Sequence, residues 1–340
     1  MATFKIYKLH FTAPLHICDQ HDDLGNSRKI IHSDTLYAAL MSCLAKSGES
    51  IPENGDLGFT VSSLFPYFQK GKDCDPVYFL PIPIQTKQAE LADVSMAKKV
   101  KRVQWLDSAL FASVLSGNSL FAGTDKYLSC IQESYMSTYE LPEDINGSKE
   151  FVCSEVSQRV TLKSRTGEED AKPYYVDKIL FRHHAGLFFI AEGDTTLLEK
   201  ALKLLALEGI GTDRNVGYGF FEYTADTLSI DLPNSANHQL SLSLFIPESE
   251  EQLLALMNSD MVAYDFMRRG GWITTYPYMT LRKNAIYGFL PGSVFHKEDG
   301  DNETAIIGKI VDLKPETTDV EIAHHIWRNG KAIMLPIQLN

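Results

Sequence analysis

Four glycines, an arginine and a tyrosine crowd into EGIGTDRNVGYGFFE, residues 208–222. Glycines at Gly209, Gly211, Gly217 and Gly219 admit positive φ and let the main chain approach another backbone closely. Successive N–H groups in such a loop form a nest for an anion. Arg214 adds a charged fork, Asn215 sits beside it, and Tyr218 offers a ring face or a hydroxyl. That chemistry is capture of a phosphodiester rather than bond breaking. A dinucleotide fingerprint is excluded, because Arg214 stands where its third glycine belongs. The preceding TTLLEKALKLLALEG also spaces its leucines as a helix does, so a helix ends here instead of beginning. No G-x-x-x-x-G-K-[ST] occurs anywhere in the chain. A glycine-rich helix cap and turn without a ligand is the alternative reading.

A second anion site is open at HSDT, residues 32–35. There the free N–H groups of a helix start and the hydroxyls of Ser33 and Thr35 would meet a phosphate, with His32, Arg28 and Lys29 beside it. The same residues read equally as an ordinary N-cap made by Ser33 or Asp34, and Asp34 reads as a cap rather than a ligand. Further basic residues fall in three groups: Lys98, Lys99, Lys101 and Arg102; Arg159, Lys163 and Arg165; and Arg268, Arg269, Arg282 and Lys283. Each group is either a set of phosphate contacts or solvated surface. The net charge of −12 speaks against a free-standing nucleic-acid binder, so the clustering matters more than the sum.

His10, His16, His21, His32, His183 and His184 make metal-independent RNA cleavage arithmetically possible. None has a clear partner, and HICDQH lacks the spacing of a metal site. Cys18, Cys43, Cys74, Cys130 and Cys153 are scattered singly without C-x-x-C spacing, which fits reduced thiols and neither a disulfide framework nor a zinc ribbon. No catalytic residue, metal ligand or cofactor is assigned.

Positioning these residues falls to a chain of 340 residues, 44% hydrophobic, enough for two ordinary domains. FKIYKLHF (4–11) alternates as an opening strand, and HSDTLYAALMSCLAKSG (32–48) forms a helix with one apolar stripe ended by Gly48. VYFLPIP (77–83) is a strand. Residues 84–172 are polar and weakly periodic and read as a long insertion. YYVDKILFRHHAGLFFIAEG (174–193) then gives two β-rich runs joined by a short turn, followed by a helix at 195–208, the glycine loop and a strand. DLPNSANHQ (231–239) is a linker. Beyond it lie the strand LSLSLFIP and the helix SEEQLLALMN with Ser249 and Gln252 as a capping box. The strands WITTYPY, GSVF and AIIGKIVDL follow, and HHIWRNGKAIML is a hairpin turning at Asn329–Gly330. The longest apolar runs fall far short of the roughly 18 residues a membrane span needs, and MATFKIYKLHF lacks a signal-peptide layout. The expectation is a cytoplasmic, membrane-free protein.

The order β-α-β, insertion, β-β-α-β with GIGTDRNVGYG directly after the last helix resembles the RAMP superfamily of CRISPR-associated proteins. More narrowly, IHSDTLYAAL, YFLPIP, GIGTDRNVGYGFF and GG…LRK…PGSVF resemble the family of fourth subunits of the type III-A Csm effector complex. The resemblance implies an α+β fold of two ferredoxin-like domains, 1–232 and 238–340, with a thumb insertion at about 84–172 in the first. It implies a non-catalytic role: binding the 5′ handle of crRNA, capping the backbone RAMP filament and docking on the large polymerase-like subunit. Rival readings are a repeat-processing RAMP ribonuclease using a histidine, or a backbone RAMP that cuts target RNA with Asp19, Asp22 or Asp23. A third rival is a scaffold touching protein only.

Overall fold

The structure, a computed structural model, describes residues 1–18, 25–71, 74–84, 101–119, 131–132, 134–139, 151–160, 173–182, 184–297, 303–316 and 321–340. Asp19, His21, Asp22, Asp23, Lys98, Lys99, Cys130, Lys163, Arg165 and His183 lie outside the described residues.

Residues up to 230 supply β1 (Ala2–Phe11), β2 (Phe59–Val61), β3 (Phe65–Phe68), β4 (Val77–Pro81), β5 (Trp105–Asp107), β6 (Ile131–Gln132), β7 (Tyr135–Met136), β8 (Val152–Val160), β9 (Pro173–Phe181), β10 (Gly186–Gly193) and β11 (Phe221–Ile230). The remainder supplies β12 (His238–Ser241), β13 (Phe266–Arg269), β14 (Ile286–Phe289), β15 (Val294–His296), β16 (Ala305–Ile307), β17 (Ile310–Asp312), β18 (Trp327–Asn329) and β19 (Ala332–Ile337). The helices are α1 (Ser33–Lys46), α2 (Ser108–Leu115), α3 (Thr195–Glu208) and α4 (Glu250–Leu256).

The main sheet runs β11-β1-β10-β3-β4-β5-β7-β6, with β2 also on β10. β1 is central, antiparallel to β10 and β11 along its length. The run GLFFIA in β10 does not alternate because its side chains are buried on both faces. Leu36, Leu40 and Leu44 of α1 and Leu198, Leu202 and Leu205 of α3 bury their helical stripes in the same core as β1 and β10. Around β1 the sequence strand, helix, strand pair, then strand, helix, strand gives an order consistent with a ferredoxin-like arrangement. β5 and β7 pair in parallel, so the sheet is mixed, and the class is α+β with few helices.

Part of the stretch expected as insertion belongs to this core. Trp105, Leu106, Phe111 and Tyr135 are buried there. Asp107 caps α2 by accepting from the Leu110 N–H at 2.8 Å, and its other oxygen accepts from the Ser137 and Thr138 hydroxyls at 3.0 and 2.7 Å. β9 does not form a hairpin with β10; it pairs along its length with β8. Its link back to the segment that follows β1 is a bridge in which Leu15 and Ile179 exchange N–H···O bonds of 2.9 and 2.7 Å.

The second half builds a sheet in the order β15-β12-β19-β16 and two ribbons, β13–β14 and β17–β18. Leu240, Leu242, Val294, Ile333 and Leu335 join the main core, so the halves share one apolar interior. Ser249 caps α4 through the Gln252 N–H at 3.2 Å, while Gln252 Oε1 accepts from the Glu248 N–H at 2.8 Å. Three expectations differ here. WITTYPY forms no strand and keeps a single bridge between Trp272 and Arg282. AIIGKIVDL splits into β16 and β17 at Gly308, whose φ of +104° turns the chain into a different sheet. The hairpin at Asn329–Gly330 does not form, since β18 pairs with β17 and β19 with β12 and β16. Neither residue has the positive φ that a two-residue turn of that kind requires, and Gly330 instead lets the backbone press against Ile246. No helix among the described residues is long and apolar enough to cross a membrane.

Candidate nucleic-acid interface

Asp194 opens α3 by accepting from the Thr196 N–H at 2.9 Å, and the helix ends at Gly209, φ +77°. A neck follows. The Ile210 N–H donates to the Gly219 carbonyl at 3.0 Å, the Gly219 N–H to the Pro14 carbonyl at 2.8 Å and the Thr212 N–H to the His16 carbonyl at 2.9 Å. Both flanks of the loop are thus strapped to the segment that leaves β1. A Cβ on Gly209 would stand 2.9 Å from the Tyr218 carbonyl, one on Gly211 2.6 Å from the His16 carbonyl, and one on Gly219 against the Ile210 carbonyl. Three of the four glycines therefore answer to the protein's own backbone. The sequence reading took backbone proximity as a property facing a ligand; here it closes the neck.

The tip is different. Asp213 at φ +61° and Gly217 at φ +96° bracket a 3₁₀ turn over Arg214–Val216, and a Cβ on Gly217 would meet open space. Arg214, Asn215 and Gly217 are exposed and Tyr218 is half-buried. Arg159 on β8 donates to Asp213 Oδ2 at 3.1 Å and to the Tyr218 hydroxyl at 2.7 Å, with its guanidinium 5.3 Å from the Tyr218 ring centre. This clamp ties the β8–β9 ribbon to the loop tip. Nothing in the sequence pairs residue 159 with 213 and 218. Beneath the loop His16 is fully buried with Nδ1 2.6 Å from the Asp177 carbonyl, and Asp177 accepts from the Ser27 N–H and the Ser154 hydroxyl.

The N-terminus of α1 is closed rather than open. His32 and Ser33 are buried, the Ser33 hydroxyl accepts from the Leu244 N–H at 2.8 Å, and the Ser33 N–H donates to the Ser63 hydroxyl at 3.1 Å. Neither Ser33 nor Asp34 caps the helix, whose N-cap position, His32, makes no side-chain capping bond. The expected anion site is covered by the second half of the chain. Asp34, with no exposed side-chain surface, holds Arg269 at 2.7 and 3.1 Å and Arg328 at 2.6 Å. The Thr35 hydroxyl accepts from the same Arg269 at 2.7 Å. Asp34 thus becomes the joint between halves, and Arg269 faces inward to it. Burial alone would push the Asp34 carboxyl up, but the charges of Arg328 and Arg269 outweigh it and hold the group well below the ordinary carboxylate range. Arg328, inside the segment read as a hairpin, was not recognisable as a partner.

Lys283 lies in the field of the same cluster. Burial, then the charges of Arg328 and Arg269, push its amine down to about 8 against the opposing pull of Asp34. A lowered lysine destabilises the fold while charged. Between about pH 8 and 10.5 the unfolded chain holds a proton that the folded chain has released, so stability rises with pH across that window. Lys283→Met is expected to add roughly 1–3 kcal/mol of stability at pH 7 and to flatten that rise. Urea unfolding at pH 7 and pH 10 measures both. Of the other expected contacts, Arg28 and Arg268 are exposed, Lys29 is half-buried, and Arg282 is exposed with its guanidinium 4.7 Å from the Trp272 ring centre.

Residues 234–337 match the family described as CRISPR Csm4 C-terminal domain. A Mycobacterium tuberculosis H37Rv protein named CRISPR system Cms protein Csm4 is 28% identical over 276 residues, 78% of this chain and 80% of its own. A protein of the same name from Methanocaldococcus jannaschii is 23% identical over 92% of both chains. Over most of its length this chain is similar to proteins of the Csm4 family. Its fold is shared with a chain in the crystal structure of the Csm3–Csm4 subcomplex of the type III-A CRISPR-Cas interference complex. That likeness has a TM-score of 0.59 at 19% identity and covers 98% of this chain and 99% of that one. The matched region, residues 234–337, supplies Arg269, Lys283 and Arg328 to the Asp34 joint. Burial removes His16 and His32 from contact with a solvent-borne substrate, and His10 and His184 are exposed.

Proposed function

We propose that this chain is the non-catalytic subunit of a type III-A Csm interference complex that binds the 5′ handle of crRNA and joins the backbone filament to the large polymerase-like subunit. The observation that carries the reading is the glycine loop, a neck fastened on both sides that holds Arg214 and Asn215 out in solvent, in a chain similar to Csm4 proteins. Relatives of the fold occur in a Csm3–Csm4 subcomplex and in a Csm1–Csm4 cassette with cA4, the latter at TM-score 0.57 and 18% identity. In this reading Csm3 and Csm1 correspond to the backbone and large subunits. A sheet order of β11-β1-β10 followed by β2 and β3 supports a ferredoxin-like first domain, and the β8–β9 ribbon clamped to the loop by Arg159 supports a thumb. The β15-β12-β19 sheet with α4 supports a divergent second domain at 238–340.

Phosphate is met at the loop tip by the exposed side chains of Arg214 and Asn215, with Tyr218 held in place by Arg159. Arg28, Lys29, Arg268 and Arg282 add contacts from the flanks. Gly209, Gly211 and Gly219 act by shaping the neck, and His32, Ser33, Thr35 and Arg269 by holding the two halves in register. In the reconstituted complex, Arg214→Glu is expected to weaken guide-RNA retention about tenfold and to lower the salt dependence by roughly one phosphate contact. Unchanged retention across a salt titration would remove the loop tip from the interface.

A further inference from the structure

The ribbon β13–β14 has two unlike faces. Opposite residues pair as Phe266 with Phe289 and Arg268 with Tyr287, while Met267, Arg269 and Gly288 point the other way. The inner face is committed, with Arg269 on Asp34 and Gly288 against Leu244. On the outer face Phe289 packs against Phe245 and Phe295, but the rest of that face is open. Tyr264, Phe266 and Tyr287 are 46%, 53% and 59% exposed, and Arg268 enters no ion pair among the described residues. The rings form a connected group: Phe266 lies 5.8 Å from Tyr287 and 6.4 Å from Tyr264, and Tyr264 5.2 Å from Phe289. Tyr139, Tyr175 and Tyr276 are exposed too, but here three exposed rings lie side by side as one aromatic patch.

Charge indicates the occupant. Residues 266–296 carry no acidic residue within a chain of net charge −12; of their cations, Arg269 and Lys283 belong to the Asp34 cluster while Arg268 and Arg282 are exposed. The nearest carboxylate, Asp265, accepts from the Phe266 N–H at 2.8 Å. Aromatic planes interleaved with guanidinium groups suit splayed bases and their phosphates, since every base offers a π-face and the strand is a polyanion.

We propose that the outer face of this ribbon, Phe266, Arg268, Tyr287 and Tyr264, is a stacking platform for single-stranded RNA, separate from the glycine loop. The inference rests on the RNA-binding reading above and adds a second, base-contacting surface to it. Bases stack on Phe266 and Tyr287, and Arg268 meets the intervening phosphate. Phe266 and Tyr287 are each more than half exposed, so replacing those two takes little from the core.

The test uses the purified full-length chain and a short single-stranded RNA carrying 5-iodouridine, cross-linked by ultraviolet light and mapped by mass spectrometry. Cross-links at Phe266 or Tyr287 are expected and should persist in Arg214→Glu. The Phe266→Ala, Tyr287→Ala double variant is expected to bind the same RNA about tenfold more weakly. Cross-links confined to residues 209–219, with the double variant binding like the parent, overturn the platform and leave the RNA-binding reading standing. No cross-link anywhere overturns both. A double variant that binds RNA normally but no longer co-purifies with a protein subunit overturns the platform in favour of a protein-docking face.

Discussion

Replacing Asp34 with alanine is expected to cost the fold roughly 3–5 kcal/mol, the largest effect of any single substitution considered. The carboxylate is completely buried, and the side chains of Arg328 and Arg269 are 8% and 12% exposed. Removing it leaves two guanidinium groups and the Lys283 amine facing one another without a counter-charge. The cost arises from that uncompensated charge rather than from the net worth of the pairs, so Asp34→Ala combined with Arg328→Met is expected to recover part of it. Because the folded carboxyl sits below its ordinary range, its contribution is complete above about pH 4 and fades as pH falls through the folded value. The stability gap between parent and Asp34→Ala should therefore narrow only in strong acid. Urea unfolding at pH 7 reads the gap and its partial recovery, a series carried below pH 3 reads the narrowing, and a gap under 1 kcal/mol at pH 7 would show that the joint does not hold the halves together.

Gly219→Ala is expected to cost at least about 2 kcal/mol and to disorder the loop neck. The left-handed φ of +75° carries a penalty of roughly 1–2 kcal/mol for a residue with a Cβ, and that Cβ would overlap the Ile210 carbonyl. Ile210 is buried and its N–H is the neck's closing donor, so the clash cannot be relieved without moving the chain. Gly217→Ala is the matched control. Its φ of +96° is equally left-handed but its Cβ would meet open space, so only the conformational penalty of about 1–2 kcal/mol applies. Amide exchange should rise across 209–220 in Gly219→Ala and only near 214–218 in Gly217→Ala. Equal behaviour of the two variants would mean that the neck glycines are not there for packing.

The helices α1 and α3 and the central strand β1 were legible because each has one periodic apolar face over ten or more residues. The capping box at Ser249 was legible for the same local reason. What escaped the sequence is what depends on distant partners. SDT at the start of α1 reads as a cap, and only the arrival of Arg269 and Arg328, more than 230 residues away, converts Asp34 from a cap into a joint. RNG reads as a turn, and only the approach of Ile246 explains why its glycine is needed without positive φ. WLDSALFASVL carries a capped apolar helix in plain view, but the polar residues around it hid the signal. Of the candidate site, the position of the glycine loop and the presence of an arginine at its tip followed from residue types. The division of its glycines into neck and tip, and the Arg159 clamp, required the fold.

As proposed above, this chain holds the guide RNA by its constant end within a larger complex. The most direct measurement is to tag the chain in cells expressing its neighbouring CRISPR genes and a repeat array, purify it at moderate salt, and sequence the small RNA that accompanies it. Guides that share one uniform 5′ handle, together with a large polymerase-like subunit, are the predicted result. Recovery of the chain alone, or with free processed repeat and no large subunit, would contradict it.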